Sequence, residues 1–219
     1  MGARLILEDG SVIEGASLGA RKTVFGELVF NTSMTGYQEA LTDPSYAGQI
    51  LMFTYPLVGN YGVHPGVGES PGIKAWGCVV REACPDPWHP ASRTGLDGWL
   101  QGAGVPGIAG VDTRALTVKC RTRGTMKAIL TTDPDEETEA LQRRLATTPP
   151  VETENLVAGV AAAATTVVHG PGPRVVLVDC GVKASIVREL AKRCEVVRVP
   201  WNARADEVLA HRPRGVVLS

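Results

Sequence analysis

The chain has 219 residues, 44% of them apolar, with 22 basic and 23 acidic side chains and a formal net charge of -1. This length buries a core of one or two domains, and the even charge balance removes the electrostatic case for nucleic acid or an anionic membrane as a partner. Five cysteines without a Cys-x-x-Cys pair, and four histidines without ligand spacing, make neither a disulfide framework nor a zinc site, so the thiols are expected to be reduced and mostly buried.

The opening MGARLILEDG enters a strand at once and carries neither a cleavable signal pattern nor a myristoylation signal. Residues 157–168, the longest weakly polar tract, are too few and too rich in Ala, Gly and Thr to span a bilayer; nothing directs the chain out of the cytoplasm, and a cytoplasmic location is expected. Residues 5–8 and 12–14 flank Asp9-Gly10, a hairpin signal because glycine accepts the positive φ of a primed turn.

Residues 27–31 and 48–54 have the length and residue types of half-buried strands. Their connection concentrates hydroxyl, amide and carboxylate groups: Thr32, Ser33, Thr35, Tyr37, Gln38, Thr42, Asp43, Ser45 and Tyr46. Asp43-Pro44 forces an extended or turn conformation just before Ser45. Many small polar groups on a loop between rigid strands suit a small polar ligand. From composition alone the better reading is that these groups cap a short helix at 38–41 and satisfy turn backbone.

Residues 62–72 read as a glycine- and proline-punctuated loop, 73–81 as a strand and 85–90 as an irregular connection. Leu96, Trp99 and Leu100 recur at helical spacing, and 105–111 form a short apolar strand. Asp112 then caps a helix whose Leu116 and Cys120 share one face, with Gly124 placed to end it in the left-handed conformation. Residues 126–130 predict a strand and 135–146 a helix opened by a run of acids.

Residues 151–173, rich in Ala, Thr, Gly and Pro, predict a linker between a domain at 1–150 and a second one at 174–219. Past it the pattern is strand at 175–178, helix at 185–193, strand at 195–199, helix at 206–210 and strand at 215–218, which means a parallel sheet with crossover helices. Three such strands with two helices leave both faces poorly covered, so this second domain is expected to be truncated. The fold class is thus α/β: a β-rich layered amino-terminal domain with helices, then a truncated parallel-sheet α/β domain.

The strings FNTSMTGYQE, LTDPSY and TYPLVGNYG, in this order and spacing, together with GVDTRALT, resemble the small, glutamine-hydrolysing subunit of carbamoyl phosphate synthetase. The resemblance implies that the second domain is the beginning of a class I glutamine amidotransferase. In such a domain a cysteine on a strand-to-helix elbow attacks the glutamine amide, a histidine held by a glutamate moves protons, and a glycine-rich turn supplies oxyanion donors. It implies L-glutamine as substrate and a large-subunit partner that receives the ammonia and makes carbamoyl phosphate from bicarbonate with ATP and magnesium, for arginine or pyrimidine synthesis. No cofactor is implied for this chain itself. The alternative is a docking module for the large subunit with no chemistry of its own.

No Gly-x-Cys-x-Gly elbow and no His-x-Glu pair occur in these residues, so no catalytic residue and no metal ligand is assigned. Gly170 to Pro173 precedes a strand instead of following one, which excludes it as an oxyanion turn. Cys180 stands between a strand and a helix, but an elbow needs small neighbours where Val178 and Val182 stand, so a small buried thiol is expected. The family's serine in Asp-Pro-Ser-Tyr reaches the bound glutamine, which assigns Ser45 as the substrate-binding residue; Asp112 and Arg114 receive no role beyond capping and the first helical turn.

Overall fold

A computed structural model describes residues 2–219. Contacts divide the chain into two units, one ending at Glu154 and the other Asn155–Ser219, and each is described by itself.

The first unit runs β1 (Gly2–Leu7), β2 (Val12–Gly19), β3 (Thr23–Asn31), α1 (Tyr37–Thr42), a 3-10 turn at Pro44–Tyr46, β4 (Gln49–Phe53), β5 (Leu57–Val58), β6 (Gly77–Val79), β7 (Glu82–Ala83), α2 (Leu96–Gly102), β8 (Pro106–Ala109), α3 (Thr113–Arg123), β9 (Met126–Thr131) and α4 (Thr138–Thr147). Seven strands close into a barrel in the order β1-β2-β8-β6-β4-β3-β9. This corrects the layered expectation for this unit. β3, β4, β6 and β8 are mutually parallel, whereas β2 and β9 run against their neighbours.

The side-chain alternation of the strands explains the closure. Ile50 and Met52 of β4 join Leu5, Leu7, Leu28, Val79, Ile108 and Leu130 inside the barrel, while Leu51 and Phe53 pack outward with Cys78, Leu96 and Leu100. On the opposite wall Ile6 and Ile129 pack outward beneath Leu141 and Leu145 of α4. Strands buried on both faces read as continuous apolar runs, as Ile50 to Phe53 of β4 do, whereas β2 alternates exposed and half-buried residues.

Local signals landed closest to their elements. Gly10 takes φ 85° in the β1–β2 hairpin, and Asp112 Oδ1 accepts the Ala115 N–H at 2.9 Å as the α3 cap. Gly124 ends that helix with φ 92° but ψ -173°, an extended rather than a left-handed helical conformation. The strand expected at 73–81 shortens to Gly77–Val79, because the N–H groups of Lys74 and Trp76 turn aside to Leu41 O and Gln49 O, each at 2.8 Å. The helix expected from 135 begins at Thr138. The acids before it hold arginines instead: Arg21 bridges Asp133 and Asp135, and Arg4 donates to the carbonyls of Asp133 and Glu136.

The second unit contains α5 (Leu156–Val160), β10 (Thr166–Val168), β11 (Arg174–Asp179), α6 (Ala184–Ala191), β12 (Glu195–Pro200), α7 (Ala205–Ala210) and β13 (Gly215–Leu218). Its sheet has the order β10-β12-β11-β13. β11 is parallel to both its neighbours, and β10 adds an antiparallel edge from within the segment read as a linker. Val176, Val197, Val199 and Val208 form the layer on the α7 face, and Leu177, Val196 and Cys194 pack with Val187 and Leu190 on the α6 face. Among the described residues no helix is long and apolar enough to cross a membrane.

Candidate functional site

The connection from β3 to β4 is held by its own polar groups. Gly36, at φ 87°, offers no side chain to cap α1. The Tyr61 hydroxyl does this instead, accepting the N–H groups of Gly36 at 2.7 Å and Tyr37 at 3.2 Å. The Tyr37 and Tyr61 rings stack with centroids 4.3 Å apart, and the Tyr37 hydroxyl donates to Gly62 O at 2.6 Å. Burial raises the pKa of both phenols, so they serve as neutral donors and acceptors.

Gln38 ties α1 to the following loop in both directions, donating to His64 O at 2.6 Å and accepting the His64 N–H at 2.8 Å. Thr42 Oγ1 accepts the Glu69 N–H at 2.9 Å, and Ser70 Oγ donates to Thr42 O at 2.6 Å. Tyr37, Gln38 and Thr42 are therefore buried framework groups, and Gln38 and Thr42 also line a cavity of about 410 Å³ with His64 and Ser70. This revises the helix-cap reading too, since the cap comes from Tyr61 and not from the Ser and Thr residues of the connection.

Thr32, Ser33 and Thr35 are exposed, as is Ser45. Asp43 adopts φ -68°, ψ 121°, the extended conformation required before proline. Its Oδ1 accepts the Ser45 N–H at 2.9 Å, which fixes the Pro44–Tyr46 turn. Asn31 Nδ2 donates to the Tyr46 hydroxyl at 3.1 Å, pinning the other side. Between these two anchors Ser45 is exposed, and its hydroxyl has no hydrogen-bond partner among the described residues. A hydroxyl that can donate or accept, presented on a rigid turn, is suited to a polar ligand.

The second unit places Cys180 differently from expectation. It is exposed, not buried, and its sulfur has no hydrogen-bond partner among the described residues. The reason lies one residue earlier: the fully buried Asp179 gathers the N–H groups of Gly181 and Val182 at 2.8 Å each, so the turn wraps that carboxylate and Cys180 projects outward. Gly181 takes φ 108° within this turn. Of the other thiols, Cys78, Cys120 and Cys194 are buried, and burial pushes the Cys78 pKa up to about 12. No group of three or more His, Cys, Asp or Glu side chains that could hold a metal occurs among the described residues.

The fold and its first unit define an α/β protein built on a closed barrel with a rigid polar turn at one connection. Across residues 5–130, more than half of the chain, the sequence matches the family described as "Carbamoyl-phosphate synthase small chain, CPSase domain". It is 48% identical over 223 residues to the carbamoyl phosphate synthase small chain of Methanopyrus kandleri, covering 100% of this chain and 62% of that relative. It is 50% identical over 216 residues to the same-named protein of Listeria monocytogenes, covering 98% and 59%. To the carbamoyl phosphate synthase pyrimidine-specific small chain of Bacillus subtilis it is 46% identical over 225 residues, covering 100% and 60%. The chain belongs to the carbamoyl-phosphate synthase small-chain family, and it spans about three-fifths of the length of these relatives.

Proposed function

We propose that these residues form the partner-holding and substrate-contacting part of a glutamine-dependent carbamoyl phosphate synthetase small subunit, which passes ammonia from L-glutamine to a large subunit. The large subunit uses ATP, magnesium and bicarbonate. The observation that carries the reading is Ser45, whose hydroxyl is exposed, unpartnered among the described residues and fixed by Asp43 in the family's Asp-Pro-Ser-Tyr string. In this reading the second unit is the beginning of a class I amidotransferase domain, and its parallel β11–β12–β13 core supports that assignment. The nucleophile is not Cys180, and the 219 residues alone bind without hydrolysing.

The test is to mix the purified chain with the large subunit and to assay carbamoyl phosphate with ammonia and with glutamine. A stable complex active with ammonia and inactive with glutamine is expected. Failure to form a complex overturns the partner assignment. Release of ammonia from glutamine by the pure chain, abolished by Cys180→Ala, overturns the view that Cys180 is not the nucleophile.

A further inference from the structure

A cavity of about 380 Å³ opens in the first unit between the outer face of α3 and the ends of two barrel strands. Arg114, Val118 and Arg121 line it from α3, at the i, i+4 and i+7 spacing of one helical face. Pro56, three residues after β4, and Arg81, two residues after β6, line it from the strand side. β4 and β6 are parallel, so their carboxyl ends lie on the same rim of the barrel. The backbone there is tied down: Gly110 N donates to Arg81 O at 2.8 Å and Glu82 N to Pro56 O at 3.0 Å.

The charge in this cavity is of one sign. No carboxylate lines it, and none of its three guanidinium groups has a hydrogen-bond or ion-pair partner among the described residues. By contrast, Arg123 on the same helix pairs with Asp9, and Arg21, elsewhere in the first unit, pairs with Asp133 and Asp135. In a chain of net charge -1 this concentration is local, not a consequence of composition. Three unrelieved cations around an opening are complementary to carboxylates, and guanidinium is the group best shaped to take them two bonds at a time. The lining is also partly apolar, with Val118, 49% exposed, and Pro56 both contributing to it. Arginine beside exposed apolar surface is the composition of a protein interface rather than of a pocket for a free ion.

We propose that this groove seats an acidic segment of the large subunit. The segment presents carboxylates to Arg114 and Arg121, about 10 Å apart along the helix axis, and aliphatic surface to Val118. This rests on the proposed partnership. It assigns a role to Arg114 that goes beyond the first turn of a helix, while Asp112 stays a cap.

The test measures the affinity of the full chain for the purified large subunit by titration calorimetry at low and at physiological salt. The Arg114→Glu/Arg121→Glu double variant is expected to weaken binding about a hundredfold, more at low salt than at high. The Arg→Lys double variant should lose about tenfold or less. Arg143→Glu, an exposed change on α4 outside the cavity, should stay within about twofold. Wild-type binding with an unchanged affinity in the charge-reversed variant overturns the groove but leaves the partnership standing. No wild-type binding overturns both. Inorganic phosphate that binds wild type and not the double variant, with large-subunit affinity unaltered, overturns the proposal in favour of a small-oxyanion pocket.

Discussion

Arg198 places its Nε 2.7 Å from Oδ2 of Asp179, joining β12 to the carboxyl end of β11 around a carboxylate that is wholly buried. The same carboxylate accepts N–H groups from Ala162 at 2.6 Å and from Gly181 and Val182 at 2.8 Å. Asp179 is thus the point where strand, loop and following turn of the second unit meet. Burial opposes its ionisation, and the N–H donors of Val182, Ala162 and Gly181 together with Arg198 outweigh that, so its pKa is lowered.

Asp179→Asn should therefore destabilise the second unit by about 3 kcal/mol, at the low end for a broken buried pair because Arg198 is partly exposed and the amide keeps one acceptor. A carboxyl with a depressed folded pKa contributes stability that is fully present above its unfolded value, near 4, and is lost as pH falls through the folded value. The difference between wild type and variant should then be constant from about pH 7 to pH 5 and shrink below about pH 4. Amide exchange in β11 and β12 at several pH values measures it. A difference that grows on acidification would contradict the assignment of Asp179 as the charged partner.

Tyr61→Phe removes the acceptor that caps α1 and leaves the ring available to stack on Tyr37. Two helix N–H groups lose their partner, so a loss of about 1–2 kcal/mol is expected in urea denaturation of the first unit. The loss should appear as faster exchange at Gly36 and Tyr37. Unchanged protection there would mean that water replaces the hydroxyl at no cost.

The distance along the chain at which a residue acts explains what was legible. The hairpin at Gly10 and the α3 cap at Asp112 depend on neighbours within a few residues, and both are readable in the sequence. Barrel closure depends on pairings such as Thr23 with Thr131 and Ser17 with Ile108, for which no local residue type is diagnostic. β10 leaves no signal in the sequence because all three of its residues are exposed and show no apolar alternation. Tyr61 caps a helix 25 residues upstream, so no Ser or Thr beside the helix signals it. The role proposed for Ser45 rests on its string of neighbours; its local chemistry alone resembles any turn serine.

A close approach within the barrel gives a direct packing test. A Cβ at Gly15 would lie 2.3 Å from Ala109 O and 2.8 Å from Ile108 Cγ1. A backbone carbonyl in a paired strand cannot swing aside, so Gly15→Ala should cost about 2–3 kcal/mol. Gly102→Ala, at the last residue of α2, meets nothing within 4 Å and should be neutral or stabilising by up to about 0.5 kcal/mol. Thermal denaturation of the two variants compares them, and equal melting temperatures would show that β2 and β8 can separate to admit a methyl group.

Ser45 is best tested in a small subunit of full family length that begins with these 219 residues, assembled with its large subunit. Its hydroxyl would contribute one hydrogen bond to a glutamine oriented mainly by other groups. Ser45→Ala should accordingly weaken glutamine use by about 0.5–1.5 kcal/mol, a few-fold to roughly tenfold. The turn itself should persist, because the Asp43 carboxylate holds the Ser45 backbone N–H and not the hydroxyl. Ammonia supplied directly needs no glutamine site, so synthesis from ammonia should match wild type. The measurement is carbamoyl phosphate formation by both proteins with each nitrogen source. An equal loss with glutamine and with ammonia would mean that Ser45 acts through folding or subunit docking, and the glutamine-contact role would have to be given up.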